Sequence, residues 1–200
     1  MSDVASRAII ALGSNVPGRA GPPPAALARA IGWLGEEAGR VVAVSSLWKS
    51  APFGLLSQPP FFNAVVVIDT PLSPRLLMKT LRRLENRAGR RRGTPWGPRA
   101  LDLDLLAHGN EVTRPVGHGA AVRGRVAKGR AAHAMQRKGL VLPHPGIAFR
   151  SFVLLPLAEA APRWRHPASG RTARHMLSKV PPGQRAQCRK VKSWQNGAWS

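Results

Sequence analysis

Residues 101–106 read Leu101-Asp102-Leu103-Asp104-Leu105-Leu106, an apolar stretch broken at every second place by a carboxylate. Strand side chains alternate, so this spacing sends Leu101, Leu103 and Leu105 to one face and both aspartates to the other. A rise of ~3.3 Å per residue sets the aspartates about 6.6 Å apart along the strand. Two bare carboxylates at that distance repel by roughly 2.5 kcal/mol at an effective dielectric near 20. The chain has 9 Asp plus Glu against 31 Lys plus Arg, and two of the nine stand here. A divalent cation reverses the sign of the repulsion, and Mg²⁺ prefers oxygen donors in the company of phosphate. The plainer alternatives are a solvent-facing half of an amphipathic strand, or acids paired with nearby arginines, because a D-x-D match is short.

The stretch is the last of four strands. Residues 7–12 are a compact apolar run ending at Gly13-Ser14-Asn15, which reads as a buried strand and a turn. After Pro22–Pro24, Leu27, Ile31, Leu34 and Ala38 recur at helical spacing and Gly39 stops the helix. Val41, Val42 and Val44, running on to Trp48, read as a second strand. Ala51 to Pro60 holds three prolines and a glycine and reads as a loop, and Phe62 to Ile68 reads as a β-branched third strand. Ser73-Pro74 caps a second helix through Leu77, Leu81, Leu84 and Ala88, closed by Gly89. The order strand, helix, strand, strand, helix, strand predicts an α+β, ferredoxin-like βαββαβ sandwich. Its core is a four-stranded antiparallel sheet with both helices on one face, and the rest of the chain is added at the C-terminus.

Beyond Asn110 the composition changes. Residues 1–111 carry 14 basic and 8 acidic side chains, net +6, whereas residues 112–200 carry 17 and 1, net +16. Seven Lys or Arg and no acid fall in 114–139, without an apolar period, so 112–139 reads as a basic flexible insertion. Order is expected again from Leu140, with a helix over Phe152–Ala161 and a last short helix capped by Thr172. The expected organisation is a single domain over 1–178, with 179–200 as a basic, poorly ordered tail. A net charge of +22 favours polyanionic company, so the insertion and tail are candidates for nonspecific polyanion binding. One cysteine, Cys188, leaves no internal disulfide and no Cys-based zinc site. No apolar run reaches the ~18 residues of a membrane span, and the cytoplasm is the expected compartment.

Cations crowd the approach to the aspartates. Glu85 ends the second helix, and Arg90, Arg91, Arg92, Trp96 and Arg99 occupy the loop entering the strand. Arginine forks bind phosphate oxygens bidentately, and an indole lies flat against a base or a guanidinium. No G-x-x-x-x-G-K-[ST] loop and no G-x-G-x-x-G after a strand is present, so any nucleotide is held by arginines and metal rather than by a glycine cradle. Pro143-His144-Pro145, followed by Arg150 and Phe152, forms the last group.

Taken in order, these segments resemble the 6-hydroxymethyl-7,8-dihydropterin pyrophosphokinase family from about Ala8 to about Leu177, interrupted by the insertion. The resemblance rests on Gly13-Ser14-Asn15; Pro52-Phe53-Gly54 and Gln58-Pro59 before Phe61-Phe62-Asn63; and Glu85 with Gly89-Arg90-Arg91-Arg92. It continues through Trp96-Gly97-Pro98-Arg99-Ala100-Leu101-Asp102-Leu103-Asp104, then Leu142-Pro143-His144-Pro145 with Arg150-Ser151-Phe152-Val153. It implies pyrophosphate transfer from ATP to the pterin hydroxymethyl group, with release of AMP; separately, a monomer is expected. Asp102 and Asp104 would hold two Mg²⁺ ions and take part in catalysis with Arg90 and Arg92. Glu85, Arg90, Arg92, Trp96, Arg99, His144 and Arg150 would bind ATP, and Phe53, Phe61, Asn63 and Phe152 the pterin. Two positions depart from the family's pattern: Pro95, where a charged residue is usual, and Ala100, where a small hydroxyl residue is common.

The rival reading is a basic RNA-binding module on the same βαββαβ plan. Such modules stack bases on aromatics of the central strands. This chain has no Tyr, its third strand continues from Phe62 as aliphatics, and aspartates on a strand face repel phosphate.

Overall fold

The computed structural model describes residues 5–52, 57–90, 97–113 and 140–200. The central strand, β4 (Phe61–Thr70), is the β-branched run, and it is buried from Asn63 to Ile68. β1 (Ser6–Ser14) pairs antiparallel with β4 on one side and with β5 (Asp102–His108) on the other. Two short strands, β2 (Arg40–Val44) and β3 (Leu47–Ser50), share the remaining edge of β4. The segment read as one strand from Val41 to Trp48 is therefore two. The break falls at Ser45-Ser46, where the Ser45 hydroxyl accepts from the Val65 amide at 2.9 Å in place of a ladder carbonyl.

Helix α1 (Pro23–Glu37) starts on a proline and ends before Gly39, whose φ is +143°. A Cβ at Gly39 would lie 2.3 Å from the Asp69 carbonyl oxygen, so the close approach of helix end to β4 admits no side chain. Helix α2 (Pro74–Arg87) is capped by the Ser73 hydroxyl, which accepts from the Leu76 amide. Both helices cover one face of the sheet. Leu27, Ile31, Leu34, Leu77, Leu81 and Leu84 pack on Ile10, Leu12, Val66, Ile68, Leu103 and Leu105. Truncating one such buried leucine to alanine costs about 2–5 kcal/mol. The opposite face, formed by Ile9, Val65, Leu106 and Ala107, is covered from the C-terminal half. Its partners are Ile147, α3 (Ser151–Ala160) and α4 (Ala173–Ser178), through Val153, Leu154, Leu157 and Met176.

The expectation of a poorly ordered tail from residue 179 is corrected by the structure. Val180 is buried, α5 spans Pro182–Ala186, and β6 (Cys188–Lys192) pairs antiparallel with β3. The sheet thus runs β5-β1-β4-β3-β6, with β2 also on β4. The chain ends in a hairpin, β7 (Trp194–Gln195) with β8 (Ala198–Trp199), turning through Asn196 and Gly197, both at positive φ. Trp194 and Trp199 meet edge to face at 4.8 Å, and Trp199 Nε1 donates to the Ser45 carbonyl. An edge strand is held by backbone hydrogen bonds and needs few apolar side chains, so basic composition conceals it. The expected insertion at 112–139 lies outside the described residues, apart from its first two positions.

Candidate functional site

The site opens where β1, β4 and β5 reach the same end of the sheet. Gly13 on β1 stands opposite Asn63 on β4 and Asp102 on β5. A Cβ built on Gly13 would lie 3.6 Å from Asn63 Oδ1, 3.9 Å from Asp102 Cβ and 3.9 Å from a Phe61 ring carbon. Three predicted site residues from two strands therefore converge on a position that offers no side chain. The alternation read from sequence holds: Leu101, Leu103 and Leu105 are buried, while Asp102 and Asp104 are partly exposed. A bulge opposite Ile9-Ile10 then turns Leu106 to the second core.

Asp102 is held by two arginines, Arg90 and Arg99; Arg90 Nη1 lies 2.9 Å from its Oδ1, and Arg99 Nη1 contacts the same oxygen. Arg90 also pairs with Glu85, which is buried at the end of α2 and accepts from the Leu103 amide at 2.8 Å. Burial, and then the Asp102 charge, push the Glu85 carboxyl up to about 8, against the pull of Arg90 and the Leu103 amide. Glu85 thus ties the arginine loop to the aspartate strand from beneath.

Asp104 meets a different set of neighbours. His144 Nε2 is 3.9 Å from its Oδ2. Burial raises the Asp104 carboxyl, but His144, Arg150, Arg99 and Arg90 outweigh it and hold it below the usual range. His144 is itself fixed on both sides: its amide donates to the Leu106 carbonyl at 2.8 Å, and its Nδ1 accepts from the Gly146 amide at 3.0 Å. With Nδ1 an acceptor, the proton of the neutral ring sits on Nε2, facing Asp104. Burial lowers the His144 pKa. The Arg150 guanidinium lies 5.9 Å from the Phe152 ring centre, and its buried Nε has no hydrogen-bond partner among the described residues.

Asn15, quoted in the first turn but given no role from sequence, organises this end of the sheet. Its Oδ1 accepts from the Arg99 amide at 2.8 Å, and its Nδ2 donates to Gln58 Oε1 and to the Pro59 carbonyl, both at 3.0 Å. The Ser14 hydroxyl donates to the Ala100 carbonyl at 2.7 Å. The legible signal was two polar residues closing a buried strand. Ala100, the departure at a usual hydroxyl position, is packed against Gly18, where even a Cβ would come within 2.5 Å of the Ala100 Cβ. Asn63 is buried and donates from Nδ2 to the Ser50 hydroxyl at 3.0 Å. The structure therefore brings together Glu85, Arg90, Arg99, Asp102, Asp104, His144, Arg150, Phe61 and Asn63, with Phe152 beside Arg150. Phe53, Arg92, Trp96 and Pro95 lie outside the described residues.

Among the described residues no three His, Cys, Asp or Glu side chains stand together as a metal cluster. Two hard carboxylates beside phosphate-seeking arginines fit Mg²⁺, which uses one or two carboxylates, several waters and substrate phosphates rather than a full protein cage.

Comparison with known proteins identifies the family. The family model for 7,8-dihydro-6-hydroxymethylpterin-pyrophosphokinase matches residues 9–162. The 2-amino-4-hydroxy-6-hydroxymethyldihydropteridine pyrophosphokinase of Haemophilus influenzae is 39% identical over 154 residues, 77% of this chain and 81% of that protein. The protein of the same name from Methylorubrum extorquens is 38% identical over 178 residues, 88% of this chain and 95% of its own. That from Synechocystis is 36% identical over 174 residues, 86% and 75% respectively. Among solved structures, a Plasmodium falciparum HPPK-DHPS with pteroate superposes with a TM-score of 0.67 over 98% of this chain, at 12% identity. An HPPK-DHPS in complex with substrates superposes at 0.68, also at 12% identity. At that identity the likeness shows the fold, and the chain spans about half the length of those two chains.

Proposed function

Since the chain belongs to the 7,8-dihydro-6-hydroxymethylpterin-pyrophosphokinase family and transfers pyrophosphate to hydroxymethyldihydropterin in folate synthesis, we propose that the reaction runs between the Asp102–Asp104 pair and the cations facing it, with ATP as donor and AMP as leaving product. The observation that carries this reading is the convergence of Asp102, Asn63 and Phe61 around Gly13, with Arg90 and Arg99 on the same carboxylate.

In this reading Phe61 and Phe152 stack on the two faces of the pterin and Asn63 bonds its edge, its amide oriented by Ser50. The pterin hydroxyl oxygen attacks the β-phosphorus of ATP and loses its proton, with Asp102 assisting its transfer to solvent; the bond from that phosphorus to the α–β bridging oxygen breaks, and AMP departs with the electron pair. Asp102 and Asp104 would supply the oxygens for two Mg²⁺ ions, which when bound would neutralise phosphate charge and make the hydroxyl easier to deprotonate. Arg90, Arg99, Arg150 and His144 bind the phosphates, so that charge shifting towards the leaving oxygen meets fixed donors. Glu85 serves this set by holding Arg90. Phe53 on the pterin side and Arg92 and Trp96 on the nucleotide side complete the assignment.

We take the strand order as the ferredoxin-like plan, and the working unit as a monomer in the cytoplasm. The basic residues of 112–139 and 179–200 add nonspecific polyanion affinity in the same proposal. Weaker, salt-sensitive heparin retention after Arg189→Glu and Lys192→Glu is the expected sign, and unchanged retention rejects the contribution of the second stretch.

The test is product analysis with ATP, Mg²⁺ and 6-hydroxymethyl-7,8-dihydropterin. AMP that appears only with the pterin is expected. ADP, or AMP independent of the pterin, overturns the assignment.

A further inference from the structure

The family match ends at residue 162, yet the chain beyond it returns to the site. Three contacts join α5 and the start of β6 to the wall that carries Arg150 and Phe152. Gln184 Nε2 donates to the Phe149 carbonyl at 3.0 Å. The Ser151 hydroxyl, buried, donates to the Gln184 carbonyl at 3.0 Å. Cys188 Sγ lies 3.3 Å from the same hydroxyl. Because the single Ser151 proton goes to Gln184, the thiol is the donor in that last contact.

The same segment also holds the opposite wall. β6 pairs with β3 so that Cys188 stands opposite Ser50, whose hydroxyl accepts from Asn63. The Gln187 carbonyl accepts from the Ala51 amide at 3.3 Å, at the start of the loop that leads to Gln58 and Phe61. Five consecutive residues, 184–188, thus span from the Phe149–Phe152 turn to the Ser50–Asn63 pair. α3 begins at Ser151 with no side-chain cap from Arg150, and the two bonds to Gln184 tie this start of the helix to the C-terminal segment.

We propose that residues 184–188 are a brace that sets the separation of the two walls of the pterin pocket, with Gln184 as a positioning residue acting through the Phe149–Ser151 turn on Phe152. The proposal rests on the placement of the pterin between Phe61 and Phe152. Gln184 touches no substrate in this arrangement; it fixes the backbone from which one stacking ring projects.

A brace of this kind changes pterin affinity more than ATP affinity: Phe152 is one of two stacking rings, whereas Arg150, in the same turn, is one of four groups placed on the phosphates. A purely structural role lowers the melting temperature and the active fraction, but does not move a KM. The experiment, on the full-length protein, measures the pterin KM at saturating ATP and the ATP KM at saturating pterin, with 6-hydroxymethyl-7,8-dihydropterin as the pterin. The variants are Gln184→Ala, Gln184→Met and Phe152→Ala. Loss of one hydrogen bond corresponds to about fivefold in an equilibrium constant. We expect the pterin KM to rise about fivefold in both Gln184 variants, with the ATP KM changing less than twofold. Agreement of Met with Ala assigns the effect to the lost N–H donor, because Met keeps the length and packing of the side chain. A larger pterin KM rise is expected in Phe152→Ala. If Phe152→Ala raises the pterin KM and the Gln184 variants do not, the brace is overturned while the pocket stands. If Phe152→Ala leaves the pterin KM unchanged, the pocket reading falls and the brace with it.

Discussion

Two aspartates in this molecule are each held by two arginines, on the two strands that flank β1 and at its opposite ends. Asp69, opposite Arg7 at one end of the β1–β4 ladder, pairs with Arg7 at 3.0 Å and Arg40 at 2.6 Å. Asp102, opposite Gly13 at the other end of β1, pairs with Arg90 and Arg99. The pairings are chemically alike, and a sequence scan for arginines near an acid treats them equally. What separates them is company. Around Asp69 the arginine side chains are 61% and 75% exposed, and the ladder partner of Arg7 is the aspartate itself. Around Asp102 stand a second aspartate, a buried glutamate, a histidine with its proton directed by Gly146, and a glycine, Gly13, that offers no side chain. An ion pair marks a site when other groups converge on it, and a strand end when solvent does.

The largest break in this comparison comes from the carboxylates. Asp104→Ala and Asp102→Ala should each lower kcat by about a thousandfold or more, because several kcal/mol of charge neutralisation at phosphate depends on metal held there. Asp69→Ala should leave kcat within twofold. Steady-state AMP formation at varied Mg²⁺ checks all three, and near wild-type rates in either site variant would remove Asp102 and Asp104 from the reaction. The arginines extend the contrast: Arg99→Ala should cost about a hundredfold in kcat/KM, whereas Arg40→Ala should cost nothing measurable.

Asn15 sharpens the comparison at smaller amplitude. Asn15→Ala removes the acceptor of the Arg99 amide and both donors to the 58–59 backbone and side chain. We expect about a tenfold fall in kcat/KM, smaller than for Arg99→Ala itself, because the guanidinium remains and only its placement loosens. An effect equal to that of Arg99→Ala would mean that Asn15 acts on substrate rather than through the loop; no effect would mean that β1 alone positions Arg99.

What sequence made legible follows the same division. The LDLDLL alternation, the Ser73-Pro74 cap and the apolar faces of α1 and α2 are local patterns, and the structure carries each of them as read. Long-range convergence was visible only where a motif string kept its order, as from Trp96 to Asp104. Three features escaped. The break at Ser45-Ser46 depends on a hydroxyl standing in for a ladder carbonyl, which period counting cannot register. β6 is a charged edge strand whose bonds are in the backbone. The terminal hairpin did announce itself, since Asn196-Gly197 is a strong two-residue turn signal between Trp194 and Trp199, but it was hidden within a stretch judged by its charge.

The smallest expected effect belongs to Asp69, and it is a test of sign as well as size. Arg7, through its hydrogen bond and charge, and then Arg40 hold the Asp69 carboxyl below its ordinary value of 3.8, against the opposing effect of burial. A carboxyl depressed in the folded state binds its proton more readily when unfolded. The pairing therefore stabilises the fold above the unfolded value and is lost as pH falls through the folded one. Exposed pairs of this kind contribute up to about 1 kcal/mol. Urea unfolding of wild type and Asp69→Asn should show a gap of that order at pH 6–7, narrowing steadily as pH is lowered from 5 towards 3 and shrinking with added salt. A gap that stays constant across that range would mean that Asp69 acts by packing against β2 rather than by charge. In that case the two arginine-held aspartates would differ in kind and not only in company.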